Sequence, residues 1–488
     1  MAGGRVGRVA VLAACGLFAL LAHPAAAPAK HGLLTGFVDT GLYASGDPAE
    51  RATWLDRTVD SRAGIVRLGV TWATVAGSQG PPDPTNPGSA SYDFSAIDAA
   101  VRDAEARGLA VLLTISGAPA WAEAPGRAPS ALPGTWKPSP SDLADFMQAV
   151  AARYSGGFDP DGAGPAPPLP AVQALQIWNE PNLSQYLAPQ YQGATAVSPG
   201  QYREMLNASY AAVKAVDPAM LVVTAGTAPY GDPPGGNRVR PVEFWRQLLC
   251  VSPAKKKGKK KGASKRRFIK AGGCAARTSF DVLAHHPIDT SGGPRRSAIN
   301  PNDASTPDLS RIVRVLRAAE RAGTVLPGRH PIWATEMWWD SNPPNSAGAP
   351  LGRHARWIEQ ALYLLWKAGA SVVLNLEIRD ATTGPLDARA GAQSGIFFAD
   401  GQAKPAFQAF RFPFVTERNR KGVLRAWGKA PAGGAIQIQR RRRGWRTIKT
   451  IKVAPGEVFT TRLASGRGGS FRAVLGAETS LVWHQGKR

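Results

Sequence analysis

The fold is indicated most clearly by residues 171–182, which read Ala171-Val172-Gln173-Ala174-Leu175-Gln176-Ile177-Trp178-Asn179-Glu180-Pro181-Asn182. The first seven residues form a short, largely apolar run that predicts a buried strand. A carboxylate then follows an amide at the C-terminal end of that strand. An ionisable group in such a place costs stability unless it is compensated, so we interpret Glu180 as a proton-transfer group. The plain alternative is a surface glutamate at a helix start, with Pro181 as the first helical residue.

A second glutamate occurs in similar surroundings, in Pro331-Ile332-Trp333-Ala334-Thr335-Glu336-Met337-Trp338-Trp339. Glu336 also ends an apolar run and also lies beside tryptophan. Two carboxylates of this kind are what retaining glycoside hydrolysis requires. The nearest rival carboxylate, Asp340, comes after the strand end and beyond both tryptophans, so we expect it in a loop or at the rim of a substrate site.

Short apolar runs alternate with amphipathic ones from about residue 32 to residue 412. The predicted strands cover residues 33–38, 65–70, 109–115, 171–177, 220–225, 280–285, 332–336 and 372–376. The helical stripes that could be located cover residues 47–61, 94–104, 141–154, 202–216, 309–322, 354–367 and 406–410. Eight strands that alternate with helices, seven of which are located, predict a (β/α)8 TIM barrel, an α/β fold, over residues 32–412. Glu180 would end strand four and Glu336 strand seven, across the barrel mouth from each other.

The periodicity changes after residue 412. Short alternating runs cover residues 423–427, 435–439, 445–452, 458–463, 470–474 and 480–483, with glycine and proline between them. No helical stripe accompanies them. The pattern predicts a small C-terminal antiparallel β-sandwich domain over residues 415–488. Carbohydrate binding, wall anchoring and a stabilising cap are all open roles for it.

The motif Trp178-Asn179-Glu180-Pro181-Asn182, the later Glu336 and the eightfold alternation together resemble clan A glycoside hydrolases, nearest to the cellulase-like and β-xylosidase-like members. The resemblance implies a retaining mechanism without cofactor or metal. Glu180 would be the general acid/base and Glu336 the nucleophile, with carboxyls roughly 5 Å apart. Asn179 would bind the substrate 2-hydroxyl.

Other barrel residues are candidate site residues. Arg67 lies in an apolar strand and needs a partner; the resemblance implies that it holds the nucleophile ionised, and a structural ion pair elsewhere in the barrel is the alternative. Of the adjacent residues His285 and His286, only one can face the barrel mouth. His286 is the candidate, either for binding sugar or supporting the site, with a purely structural role left open.

Tryptophans are frequent, at 14 in the chain, and their flat faces suit sugar rings. Trp121 and Trp338 are the predicted substrate-binding ones, with core packing as the alternative. Two features depart from the family pattern. The end of predicted strand eight lacks an aromatic residue, and Ile288 stands after His286-Pro287 where tyrosine is frequent. Both departures concern sugar preference and leave the two-carboxylate mechanism intact.

The net charge of +24 is concentrated in two segments. Residues 255–267 hold nine Lys and Arg and no acid, and residues 415–488 hold 17 basic against three acidic residues. The remainder of the chain is nearly neutral, which argues against specific nucleic-acid binding. The basic segments could contact an anionic cell-surface polymer, lipid headgroups or nucleic acid, or could simply be solvated. We expect residues 254–270 to form a flexible loop.

The N-terminus has the pattern of a signal peptide over residues 1–27. Arg5 and Arg8 precede an apolar stretch, and Ala25-Ala26-Ala27 offers a cleavage site. The stretch is too short for a transmembrane span, so we expect export to the cell surface or the medium. Cys250 and Cys274 flank the lysine-rich run and are expected to pair in an oxidising compartment.

Three functional hypotheses are compatible with these sequence features. The leading one is a secreted retaining β-glycosidase that hydrolyses a poly- or oligosaccharide. A catalytically silent relative that binds glycans is the second. The third is a cell-surface adhesin whose basic segments bind an anionic polymer; its binding would be strongly salt-dependent and would survive loss of both glutamates.

Overall fold

The computed structural model describes residues 32–162, 167–254, 268–272, 274, 276–289, 292–382, 391–419, 421–464 and 468–486. An eight-stranded parallel barrel forms its larger part. The barrel strands are β1 Leu34–Val38, β2 Ile65–Thr71, β3 Ala110–Ser116, β4 Ala174–Ile177, β5 Leu221–Thr224, β6 Leu283–His285, β7 Ile332–Met337 and β8 Ala370–Leu376. All eight predicted strands are confirmed, with ends that differ by a few residues.

The strands follow one another around the barrel in chain order. β1 pairs with both β2 and β8, and the parallel bridge between Val223 and Val282 joins β5 to the β6 segment. Strands of a parallel barrel are buried on both faces, which is why they appear in the sequence as continuous apolar runs. The interior is filled by a layer of side chains contributed by several strands: Ile65, Leu112, Ala174, Val223, Val282, Ala284, Trp333, Val372 and Leu374.

Helices cover the outside of the barrel. Their bounds are Thr40–Tyr43, Pro48–Asp60, Trp72–Ala76, Ser95–Glu105, Pro140–Arg153, Ser198–Val216, Pro241–Leu248, Leu309–Ala322, Leu351–Ala368 and Pro405–Arg411. The helix Pro241–Leu248 follows strand five and was not located in the sequence. It has only eight residues, too few for its apolar stripe to repeat clearly. It nevertheless supplies the eighth helix of the alternation.

Eight antiparallel strands form the C-terminal unit, in two sheets. One sheet joins β9 Phe414–Arg418, β10 Leu424–Lys429 and β13 Val458–Arg462; the other joins β11 Gly434–Arg441, β12 Trp445–Val453, β14 Gly469–Leu475, β15 Glu478–Thr479 and β16 Trp483–Gln485. The predicted barrel with an added antiparallel sandwich is thus confirmed. β9 was not predicted, because only Phe412 and Pro413 separate residues 414–418 from the last barrel helix.

Polar contacts attach the sandwich to the barrel. Arg411 donates to both carboxylate oxygens of Glu478, at 3.0 and 2.8 Å. The ammonium of Lys429, 6% exposed, donates to Thr35 Oγ1 at 3.0 Å and to the carbonyl of Arg62 at 3.1 Å. Lys429 thus reaches under the N-terminal end of the barrel, opposite the mouth.

The disulfide Cys250–Cys274 is present, as predicted, and closes a segment with a sequence separation of 24. The short strands Val251–Pro253 and Phe268–Lys270 pair antiparallel beside it. Most of the predicted flexible loop and the whole predicted signal peptide lie outside the described residues. Among the helices that the structure describes, none is both long and apolar enough to cross a membrane.

Candidate active site

Glu180 lies just beyond the end of β4 in an unusual backbone conformation. Trp178 has φ +73° and Glu180 has φ +37°, both in the left-handed region that non-glycine residues rarely adopt. Hydrogen bonds hold this segment: the Trp178 indole donates to the Tyr186 carbonyl at 2.8 Å, and the Glu180 amide donates to the Gly226 carbonyl at 3.0 Å. Strain of this kind persists only where neighbouring structure imposes it, and it concentrates at functional sites.

Glu336 faces Glu180 across the barrel mouth. One ligand oxygen of Glu180, one of Glu336 and one ring nitrogen of His286 all lie within 4.8 Å of one another. Strands four and seven therefore bring together two carboxyl groups that are 156 residues apart in the chain. The separation is close to the roughly 5–5.5 Å of retaining glycosidases and shorter than the spacing that leaves room for an inverting water.

Arg67 joins the two sides of the site. Its guanidinium contacts Glu336 Oε1 at 2.5 Å and donates to Asn179 Oδ1 at 2.8 Å. The Arg67 side chain is only 5% exposed, so this ion pair is formed in a poorly hydrated setting. The predicted contact between the strand-two arginine and the strand-seven glutamate is found. The alternative of an ion pair elsewhere in the barrel is wrong.

A buried hydrogen-bond network beneath the carboxylates was not foreseen from the sequence. Arg67 Nε donates to Thr114 Oγ1 at 2.7 Å, and that hydroxyl donates to Gln176 Oε1 at 2.9 Å. The Gln176 amide then donates to Thr335 Oγ1 at 3.2 Å, one residue before Glu336. The network ties four strands together and orients the guanidinium. Its signal in the sequence was a polar residue in the middle of each apolar strand.

The two adjacent histidines have different partners. His285 Nδ1 lies 2.8 Å from Thr227 Oγ1 and its Nε2 lies 2.7 Å from the Ala304 carbonyl, away from the carboxylates. His286 Nδ1 lies 2.9 Å from Glu180 Oε1 and 3.6 Å from Glu336 Oε2. The His286 side chain is fully buried, so it supports the carboxylates. Its predicted sugar-binding role stays a prediction.

The pKa of Glu180 is raised above its ordinary value, chiefly because burial disfavours the charged carboxylate. The hydrogen bond from His286 acts in the opposite direction, and the charge of Glu336 raises the pKa further. Tyr186 is a further residue near the pair that the sequence did not reveal. Burial and the charges of both glutamates raise its pKa to about 12, so it stays protonated at neutral pH.

Asn179 is partly exposed beside the two glutamates. Its Oδ1 is held by Arg67, which orients Nδ2 as the free donor end of the amide. No partner for Nδ2 is found among the described residues. An oriented donor of this kind can bind a sugar hydroxyl.

The two predicted tryptophans lie in different loops. Trp121 meets the buried Trp72 edge-on, with ring centroids 5.6 Å apart. Trp338 is 9% exposed and lines a cavity of about 340 Å³ together with Trp339 and Trp357. Their sugar-binding role stays a prediction. Asp340 accepts backbone N–H groups of the strand-eight loop, from residues 391 and 393, and is a loop residue.

Glu180, His286 and Glu336 also have the composition of a cation site. Arg67, however, places a guanidinium 2.5 Å from Glu336 Oε1, and this charge would repel a metal ion from the same oxygen. The donor set therefore fits a metal poorly.

Comparison with solved structures identifies the architecture. The chain resembles a family 39 glycoside hydrolase from Bacteroides cellulosilyticus WH2, with a TM-score of 0.54 at 15% identity, over 89% of this chain and 81% of that one. It also resembles a glucosidase from Croceicoccus marinus, with a TM-score of 0.50 at 15% identity, over 89% and 94% of the two chains.

The chain has the fold of clan A glycoside hydrolases. That is the fold predicted from the Asn-Glu-Pro motif and the eightfold alternation. No protein-family model matches the sequence, and no curated protein matches it either.

Proposed function

We propose that the barrel is a retaining glycoside hydrolase that cleaves a β-linked poly- or oligosaccharide with Glu180 and Glu336. The observation that carries the proposal is the paired geometry of the two carboxyls, within 4.8 Å, with a different partner for each. Glu336 contacts a guanidinium, while Glu180 is buried against a histidine. When two carboxyls have environments that push their pKa values apart, one suits the role of acid and the other the role of nucleophile.

In the first step Glu336 attacks the anomeric carbon while Glu180 donates its proton to the leaving glycosidic oxygen. The C–O bond to the leaving group breaks as the glycosyl–Glu336 ester forms. In the second step Glu180, now ionised, takes a proton from water, whose oxygen attacks the same carbon and releases Glu336. The raised pKa of Glu180 suits the first step, because a proton must be available near neutral pH.

Asn179 and Arg67 have supporting roles in this proposal. The free amide end of Asn179 would donate to the sugar 2-hydroxyl, a contact that strengthens in the transition state. Arg67 would keep Glu336 ionised and oriented through its 2.5 Å contact. Both roles need only residues of this chain, and the mechanism uses neither cofactor nor metal.

Silent glycan binding is the second candidate function. The observation in its favour is the end of β8, where Leu376 and Glu377 stand in place of an aromatic sugar floor. Such a barrel would keep the paired glutamates and bind oligosaccharide without cleaving it.

Sugar release from a panel of aryl glycosides and of plant, fungal and bacterial polysaccharides tests both candidates. We expect release by the parent protein and a loss of at least a thousandfold in Glu180→Gln and in Glu336→Gln. Glu204→Gln, which alters an exposed glutamate on the helix Ser198–Val216, is the matched control and should keep full activity. If the parent protein releases no sugar but still binds glycan, the second candidate function is established. Release that persists in both active-site variants would exclude both carboxylates.

Export is also part of the proposal, and it places the barrel outside the cytoplasm with polysaccharide substrates. The support is the charged and apolar pattern of residues 1–27. The mass of the protein recovered from the culture medium should correspond to a chain starting at residue 28. An intact N-terminus on protein found only in the cytoplasm would refute export. Contact of the basic segments with an anionic cell-surface polymer is a further proposal.

A further inference from the structure

The outer face of one sandwich sheet carries an ordered polar surface, which we call the platform. It consists of Gln437, Gln439 and Arg441 of β11, Trp445 and Thr447 of β12, and Arg472 of β14. Strand register places these residues side by side: position 441 lies opposite 445, and 439 lies between 447 and 472. The opposite face of the sheet is buried in the sandwich core through Ile436, Ile438, Phe471 and Ala473.

The platform side chains are held by one another. Arg472 Nε donates to Gln439 Oε1 at 2.8 Å, and its guanidinium lies over the Trp445 ring, 4.3 Å from the centroid. Thr447 Oγ1 donates to Gln437 Oε1 at 3.0 Å. The two terminal nitrogens of Arg472 have no protein partner among the described residues. They form a planar fork, held in place, of the shape that binds a carboxylate through two parallel hydrogen bonds.

The charge around the platform is uncompensated. The only acids of residues 415–488 are directed elsewhere: Glu417 pairs with Arg295 and Lys367, Glu478 pairs with Arg411, and Glu457 accepts a backbone N–H. The exposed basic residues of the β11–β12 hairpin form no ion pair within the described part of the chain; they are Arg441, Arg442, Arg443, Arg446, Lys449 and Lys452. The hairpin therefore gives this part of the sandwich a positive field.

Protection of a sheet edge explains only part of this arrangement. β12 is an edge strand, and lysines along such a strand discourage pairing with other molecules. The row of Trp445, Gln439 and Arg472, however, begins on β12 and continues across β11 to β14, away from the edge. Its mutual hydrogen bonds serve no purpose in repelling another strand, but they do pre-order side chains for a ligand.

We infer that the platform binds a linear polysaccharide that carries carboxylate groups along its chain. A uronate carboxylate would accept hydrogen bonds from the fork of Arg472. Sugar hydroxyls would form hydrogen bonds with Gln437, Gln439 and Thr447. The positive charge of the hairpin would attract the polysaccharide at longer range. Single-stranded nucleic acid fits less well, since it needs an open aromatic face for base stacking and Arg472 covers one face of Trp445. The choice of a glycan over another polyanion rests on the proposed function of the barrel.

The test measures binding of the full chain carrying Glu336→Gln, so that no substrate is consumed. The probes are polygalacturonate, fully methyl-esterified polygalacturonate and single-stranded DNA, each titrated calorimetrically from 50 to 500 mM salt. We expect polygalacturonate to bind at least tenfold more tightly than the other two probes. Arg472→Lys, which keeps the charge but loses the planar fork, should weaken that binding at least tenfold.

Lys452→Gln is the matched control, because it removes one positive charge from the same hairpin outside the platform. It should weaken binding less than threefold. If binding were unspecific charge attraction, Lys452→Gln would lose more affinity for polygalacturonate than Arg472→Lys, and DNA would bind as tightly as polygalacturonate. Either result overturns the inference. So does an absence of polygalacturonate binding. Melting curves of both variants control for folding. Inactivity of the barrel towards the sugar panel would refute the proposed hydrolase and leave this binding measurement unaffected.

Discussion

Gly226 is expected to control the protonation of Glu180 although it carries no side chain. A Cβ atom at this position would lie 2.1 Å from His286 Nε2 and 2.2 Å from His286 Cδ2. These distances are more than 1 Å short of an ordinary contact, so Gly226→Ala must displace the imidazole ring or the backbone after β5. Either movement disrupts the 2.9 Å hydrogen bond from His286 Nδ1 to Glu180 Oε1.

The magnitude follows from the type of hydrogen bond. A bond to a charged group contributes about 1.5–3 kcal/mol, and one pKa unit corresponds to about 1.4 kcal/mol. The bond from His286 lowers the pKa of Glu180. Its loss should therefore raise that pKa further above its ordinary value. Overpacking should also reduce the free energy of unfolding by about 1–3 kcal/mol.

The assay is the pH dependence of kcat/KM on the best substrate of the sugar panel. Its basic limb reports the ionisation of the general acid in the free enzyme. We expect Gly226→Ala to shift this limb towards higher pH, with a reduced maximum. His286→Leu should shift it in the same direction, since it removes the same hydrogen bond.

Gly200→Ala provides the control, because a Cβ at that helical position meets no atom within 4 Å. Its profile should match that of the parent. A folded Gly226→Ala protein whose basic limb stays in place, or moves towards lower pH, would refute the assignment of Glu180 as the acid under the influence of His286.

Three further predictions concern stability. Arg67→Met should lower the free energy of unfolding by about 3–5 kcal/mol, measured by urea denaturation, because it removes the guanidinium that faces the partly buried Glu336 carboxylate; an unchanged midpoint would contradict this. Replacing Cys250 and Cys274 by serine should cost about 3 kcal/mol in the same assay, since the bridge restricts the unfolded chain, and reduction of the parent should reproduce the loss. Burial lowers the pKa of Lys429 to about 8 from 10.5. The folded state thus releases this proton before the unfolded state does, and stability should gain up to about 3 kcal/mol as the pH rises from 8 towards 10.5. The gain should be absent in Lys429→Met, and a parallel pH dependence of both proteins would refute it.

Part of the site could be found in the sequence because it is encoded locally. Glu180 and Glu336 each end an apolar run, and a buried strand that closes on a carboxylate is visible without any tertiary knowledge. Arg67 was conspicuous for the same reason, as a charge inside an apolar strand. Tyr186 was missed because nothing in its loop sequence distinguishes it from other surface aromatics. Its position near both glutamates depends on the turn that follows the strained Trp178 backbone.

The sequence by itself determined the order of the barrel strands, the change to a β-sandwich near residue 412, and the two carboxylates that end strands four and seven. These follow from hydrophobic periodicity and turn residues, which act over a few positions. Only the tertiary structure decided that His286 contacts Glu180 directly, that Arg67 also contacts Asn179, and that Gln176 connects the strands beneath them. Those contacts depend on how the strands tilt and shift when the barrel closes, and the residues that set the closure lie hundreds of positions apart.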